Sequence, residues 1–368
     1  MTTGAKKLRD TYAITKGAPV YMREFGYYCL ERWISEGHIK DESDLQKYCY
    51  FDEPGSVMIG NMGGCEAPFI PEFETKIIAD RGNHELVQDS VGRHVLYFKG
   101  RRQGFMPEYV DHPVKDMNTW QRDCKWRMEP NHPQRQERID KTIKMASPMA
   151  KQGLMVMQHI VGGYMYLRSL IGPTELLFKF YDDPALIHDC MKTWFNLADF
   201  VTAEHQKQLT IDEVLFDEDI CYNHGSLISP DMMEEFLLPY YQQLITNIKS
   251  RQLDKTRHLH VYLATDGYCP PVIPIYEKIG MDVMGPFEVA SNNNVLEIAH
   301  NYPKLVIIGG MDKRILANGK DAINQMVDTI MPPMKKRGGY IPTCDHGVPA
   351  EVDFEDYVHF RKRLQEFS

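Results

Sequence analysis

The chain of 368 residues has no apolar run near the ~20 residues that a membrane-crossing helix needs. Residues 1–10 lack the apolar centre of a signal peptide, so a cytoplasmic protein without a membrane span is expected. Its eight cysteines are scattered and form no CxxC pair, which points to reduced thiols rather than a disulfide frame. Positive charge is outnumbered, with 42 Lys and Arg against 51 Asp and Glu. The formal net charge is −9, and the basic clusters at 99–102 and 335–337 are too short to make the stripe of a nucleic-acid binder. GxxxxGK[ST], GxSxG and HExxH are all missing, and Gly309-Gly310 does not open a GxGxxG dinucleotide fingerprint.

What the chain does have is a rhythm in its second half. Short apolar runs end in an acid, a Gly or a His, and each is followed by a helical pattern. The runs are 154–159 (Leu-Met-Val-Met-Gln-His), 213–219, 258–266, 283–288, 305–312 and 338–346. Continuous apolar strands separated by helices indicate a parallel sheet covered on both faces. The expected fold is therefore α/β, a (β/α)8 TIM barrel, with its chemistry at the C-terminal strand ends. Helices are expected near 174–181, 184–209, 230–250, 271–279, 293–301, 320–336 and 354–367.

The first half reads differently. An N-terminal helical segment is expected up to about Asp52, with 21–36 as one amphipathic helix stopped by Gly37. The β-prone runs 75–79, 84–88 and 94–98, separated by turn residues, predict a small antiparallel β meander. Residues 107–148 are polar, with Trp120 and Trp126 as expected anchors. Residues 1–150 should thus pack on the barrel and supply its first two strands, with 151–368 forming its main part in a single structural domain.

Four constellations carry polar groups at predicted strand ends. In 216–222 (Phe-Asp-Glu-Asp-Ile-Cys-Tyr) three consecutive acids offer a general acid or a metal ligand, or else a cap and ion pairs. In 264–271 Asp266 ends a strand before a Pro-led helix, either as a mouth carboxylate or as an N-cap. Glu288, between Phe287 and Val289, needs a partner if buried: a metal, a substrate donor, or a cation such as Lys313 or Arg314. In 338–349 the cluster Cys344, Asp345 and His346 could relay a proton or orient a metal ligand, and Cys344 could ligate as a thiolate. His258 and His260 alternate to one face and read more readily as structural. Tyr164, Tyr166 and Phe287 are candidates to stack on a substrate, and Arg168 to hold an anionic substituent, against the plain alternatives of core aromatics and an internal ion pair.

These residues resemble the uroporphyrinogen decarboxylase-like superfamily, specifically its corrinoid-dependent methyltransferase branch. The similar stretches are 217–222 with 227–230, 265–267, 286–290, 307–313, and 339–342 with Asp345, His346, Val348 and Pro349. Residues 107–116 with Trp120, and 168–172, extend the likeness. It implies a barrel whose mouth takes a methyl donor or acceptor, often with zinc, while a separate corrinoid protein presents its cobalt. The branch includes enzymes that cleave aromatic methyl ethers. Decarboxylases of the superfamily carry an Arg-Gln-Ala-Gly-Arg motif that nothing here matches. The thiol-methylating branch uses His-x-Cys-Gly, where this chain has Ala264-Thr-Asp-Gly.

The resemblance therefore implies an O-demethylase methyltransferase, moving a methyl group from an O-methyl donor to Co(I). A porphyrinogen-decarboxylase-type lyase and a methylcorrinoid-to-acceptor methyltransferase are the alternatives. It nominates Glu218, Asp266, Asp345 and His346 as catalytic groups. Any zinc would draw on Asp266, Glu288, Cys344 and His346. The partners expected are a corrinoid protein and a small-molecule donor, and a homodimer is one assembly the sequence allows.

Overall fold

The structure is a computed structural model that describes residues 1–100 and 106–368. Seven strands form one parallel sheet: Ser56–Ile59, Met155–Val161, Glu213–Asp217, His260–Thr265, Val283–Pro286, Val306–Ile308 and Tyr340–Ile341. Their order in the sheet is their order in the chain, and every ladder is parallel. All C-terminal ends thus lie on one rim. Both faces are apolar, as the continuous runs require. One face packs on surrounding helices such as Pro184–Gln206, which buries Leu186, Met191, Trp194 and Val201. The other encloses a second cluster that includes Met157, Leu215, Tyr262, Val283 and Ile341.

Eight-strand closure is not seen among the described residues. Between the first and last strands runs an extended segment, 19–28, where a single helix over 21–36 was expected. Its Tyr21 packs in the interior cluster. The Asp52 N–H donates to the Met22 carbonyl at 3.0 Å, and the Tyr28 N–H to the Val348 carbonyl at 2.8 Å. Tyr27 and Val348 form an isolated parallel bridge. Contacts on both sides outweigh helix propensity here, and only Leu30–Ser35 is helical. Of the two barrel strands expected from the first half, the ladder contains one, Ser56–Ile59.

Helix Thr3–Tyr12 is capped by the Thr2 hydroxyl and sends Leu8 and Tyr12 into the interior cluster. Tyr12 donates to Glu213 at 2.5 Å, at the N-terminal end of strand Glu213–Asp217. This helix plugs the barrel floor.

The meander is present and gains a strand: Lys76–Arg81, His84–Gln88, His94–Phe98 and Glu108–Asp111 pair antiparallel in that order. Trp120 anchors the next segment, fully buried and donating to Asp189 at 2.7 Å. Trp126 does not anchor it; that ring is exposed, with the Arg127 guanidinium over it. The helix expected over 230–250 breaks into Pro230–Phe236 and Leu238–Arg251. Pro239 has no N–H to continue the first helix but suits the opening turn of the second. Among the described residues no helix is long and apolar enough to cross a membrane.

Truncating the plug, Leu8→Ala, should cost about 3 kcal/mol, as expected when a fully buried Leu leaves a cavity. Urea unfolding of the variant against wild type measures it.

Candidate active site

Each strand hands over to its rim residue through a local turn. After strand Glu213–Asp217 come Glu218 and Asp219, the latter with φ +42°. Asp266 follows strand His260–Thr265, Glu288 follows Val283–Pro286, and Asp312 and Lys313 follow Val306–Ile308. Asp345 and His346 follow Tyr340–Ile341. Parallel pairing brings these distant residues together, and their charges act on one another. Glu288 and Asp219 oppose ionisation of Asp266, while Lys313 and Arg168 favour it.

Asp266 is the least constrained acid. Its side chain is 43% exposed, and His346 Nε2 lies 3.8 Å from Oδ2, beyond hydrogen-bond reach. Partial burial, then Glu288 and Asp219, push its carboxyl up to about 7, so near neutral pH it is a proton donor as well as an acceptor. The Gly347 N–H donates to His346 Nδ1 at 2.8 Å, and the Tyr28 hydroxyl lies 3.2 Å from the same atom. An Nδ1 that accepts leaves the proton of the neutral ring on Nε2, facing Asp266. Burial, reinforced by Lys313, lowers the imidazole's pKa, which favours this neutral form.

Glu288 finds the cation that its setting required. Its Oε1 faces Lys313 Nζ at 3.5 Å, and its Oε2 accepts the Gly267 N–H at 3.0 Å. Arg314 is not the partner; it pairs with Asp312. Asp345 is wholly buried and accepts the Val289 N–H at 2.8 Å and the Lys313 N–H at 3.0 Å. It ties two rim turns together, faces no solvent and holds the backbone of Lys313 in place.

Glu218, expected at the mouth, lies behind it. It is fully buried, with the Tyr241 hydroxyl donating at 2.5 Å, the Tyr276 hydroxyl at 3.1 Å and the Tyr164 N–H at 3.2 Å. A Cβ on Gly162 would stand 2.0 Å from its Oε2, so this turn closes over the carboxyl only because that residue is glycine. Burial pushes Glu218 up to about 7. Its role is to anchor the start of helix Gly163–Ile171, which carries Arg168 to Asp219 at 2.5 Å. Arg168 is thus engaged by an internal carboxylate.

The expected aromatic contacts are also redistributed. Tyr164, Tyr166 and Phe287 are each at most 1% exposed and belong to the outer core. The rings at the rim come instead from segment 19–28. Phe25 lies 5.0 Å from the His346 ring, and Tyr28 stacks on it at 5.8 Å with a 16° interplanar angle. Both are about half exposed. His159, not singled out from the sequence, pairs its Nε2 with Oδ2 of Asp217, the first of the three consecutive acids, at 2.6 Å. His159 closes the predicted run 154–159, and that position was the signal available.

Zinc does not fit the set Asp266, Glu288, Cys344 and His346. Cys344 is wholly buried, below the open rim where Asp266 is exposed. Glu288 is taken by Lys313 and Gly267. Among the described residues no three ligand atoms of these four converge as they do elsewhere in the chain, at His258, His260 and Asp282.

The fold is shared with a methyltransferase from Methanosarcina mazei, at a TM-score of 0.59 over 100% of this chain and 99% of that one, with 11% identity. Residues 103–367 match the uroporphyrinogen decarboxylase (URO-D) family model, and the chain belongs to that family. Uroporphyrinogen decarboxylases of Geobacter metallireducens and Geotalea daltonii are each 25% identical to it over 144 residues, 39% of this chain and 40% of theirs. The match thus spans less than half the length of these curated relatives.

The buried Glu218 has a consequence for stability. Its folded pKa of about 7 exceeds the ordinary 4.5. Its stabilising contribution is therefore complete below pH 4.5 and lost as pH rises through 7, by about 3 kcal/mol in all. Glu218→Gln should flatten unfolding free energy against pH between 5 and 8. Residual slope should remain from Glu213, which burial also raises to about 7.

Proposed function

We propose that this protein is a methyltransferase that moves a methyl group from an O-methyl donor, most fittingly an aromatic methyl ether, to the Co(I) centre of a corrinoid carried by a separate protein. The observation that carries the reading is Asp266: an accessible carboxyl held near pKa 7 at the rim, beside a neutral His346 flanked by two half-exposed aromatic rings. In the transfer, the cobalt's electron pair forms the new bond to the methyl carbon. The methyl–oxygen bond breaks, and its electrons stay on the aryl oxygen. A phenol has a pKa of about 10, so an unassisted phenolate is a poor leaving group at neutral pH. A proton from Asp266 runs downhill to that oxygen. The carboxylate left behind faces the Nε2–H of His346 and the Lys313 charge, which limit the cost of forming it.

The family and its curated relatives favour a second reading, a porphyrinogen decarboxylase. The charge at the rim opposes it. Asp217, Asp219, Asp266 and Glu288 outnumber Arg168 and Lys313, and both cations already face carboxylates. A polycarboxylate substrate would meet net repulsion there.

The test is to mix the protein with a reduced corrinoid protein and a panel of methoxyarenes while following the cobalt spectrum. Methylation should be fastest below pH 7 and fall as Asp266 ionises. Asp266→Asn should lower the rate by roughly 10²–10⁴ and remove that limb. The loss should shrink for an ether whose phenol is acidic enough to leave without a proton. Wild-type rates from the folded variant, or no methylation with any donor, would count against the reading.

A further inference from the structure

At the opposite end of the barrel lies a second cluster of chemically capable side chains, unconnected with the rim. His258 and His260 sit two residues apart at the start of strand His260–Thr265, where a strand's period of two turns them to one side. Asp282 immediately precedes the neighbouring strand Val283–Pro286. The Val261 N–H donates to Asp282 Oδ1 at 3.0 Å, while the Asp282 N–H donates back to the Val261 carbonyl at 3.1 Å. This exchange fixes the carboxylate and leaves Oδ2 as its presented atom. His258 Nε2 lies 2.8 Å from that oxygen and His260 Nδ1 lies 2.9 Å from it. One ligand atom from each residue falls within 4.8 Å of the others.

We infer that these three residues form a divalent transition-metal site of the two-histidine, one-carboxylate type, suited to Zn2+. Two imidazole nitrogens and one carboxylate oxygen match that ion's preference, and three protein ligands leave a coordination position open. The open side is accounted for: the triad borders a cavity of about 370 Å³, also lined by Arg9, Tyr12, Asp212 and Arg257. The neighbouring cations do not compete for Asp282. Asp212 holds both, Arg257 at 2.6 Å and Arg9 at 3.2 Å. The Tyr12 ring packs edge-on against His260 with centroids 4.9 Å apart, which orients the ligand from the plug helix. Without a metal, both facing ring nitrogens stand within hydrogen-bond distance of Asp282 Oδ2. To bind the ion, each neutral imidazole carries its proton on its other ring nitrogen, and the ligand atoms need to separate only slightly to accept it.

The site stands about 20 Å from Asp266 along the strand, so a role in the rim chemistry is not implied. Bound metal would clasp two adjacent strands where they meet the plug, and the expected consequence is stabilisation by linkage. This assignment is independent of the proposed methyl transfer.

Isothermal titration of the chelator-treated full chain with Zn2+ should show one tight equivalent, micromolar or better, and thermal unfolding should move up by several degrees. Replacing Zn2+ with Co2+ should give visible d–d bands that report the coordination. His258→Ala tests the site safely, since that side chain is 62% exposed and its loss cannot empty the core. This variant and Asp282→Asn should each weaken Zn2+ binding at least tenfold and abolish the thermal shift. His346→Ala should leave both unchanged. No binding at about 0.1 mM Zn2+, or binding that survives His258→Ala and Asp282→Asn, would overturn the assignment.

Discussion

Parallel strand pairing is the constraint on which the rest depends. Because every ladder runs the same way, the chain must deliver the residue after each strand to the same rim. Five of the seven following segments carry an acid within a few residues of the strand: Glu218, Asp266, Glu288, Asp312 and Asp345. Crowding carboxylates around two cations in a partly desolvated space raises the cost of ionising any one of them. Asp266 bears that cost, because burial first and then the facing Glu288 and Asp219 oppose its ionisation while its own partners are distant. A carboxyl raised to about 7 is therefore a product of topology as much as of residue type.

The acids around it divide by what satisfies them. Asp345 is consumed by two backbone N–H groups and Glu218 by two tyrosines and a third N–H. Such groups hold the turns that follow the strands. Glu288 and Asp219 are held by Lys313 and Arg168 and set the local field. Of the described rim residues, Asp266 and His346 are partly exposed and stand 3.8 Å apart without a hydrogen bond between them. The barrel's other end shows the same economy: Asp212 neutralises two arginines, which leaves Asp282 free to face two histidines.

Segment 19–28 links fold to site. It lies where the ladder has no strand, contributes Tyr21 to the interior, and sends Phe25 and Tyr28 outward to His346. Its helix-like spacing was misleading because the extended form gains contacts on two sides that a helix would forgo. Glu24 shows how firmly it is held: its carboxylate takes the Cys344 N–H at 2.8 Å and faces the buried Arg361 at 3.4 Å. That contact also explains the burial of Cys344, which by residue type alone was a credible ligand.

Local pattern was enough to reveal the strands from Met155 onward, the apolar face of helix Pro184–Gln206, the meander and the strand-end acids. These depend on periodicity and on residues adjacent in the chain. Asp266, Glu288 and His346 were legible as rim residues for the same reason, since a strand's end fixes the side on which the next residue emerges. Tertiary structure alone decided which acids were spent on N–H groups, that Tyr164, Tyr166 and Phe287 face the outer core, and that Lys313 is the partner of Glu288. It also decided that the convergent donor set lies at His258, His260 and Asp282. Burial, partner distance and ionisation are properties of space shared by remote segments, and no one-dimensional pattern encodes them.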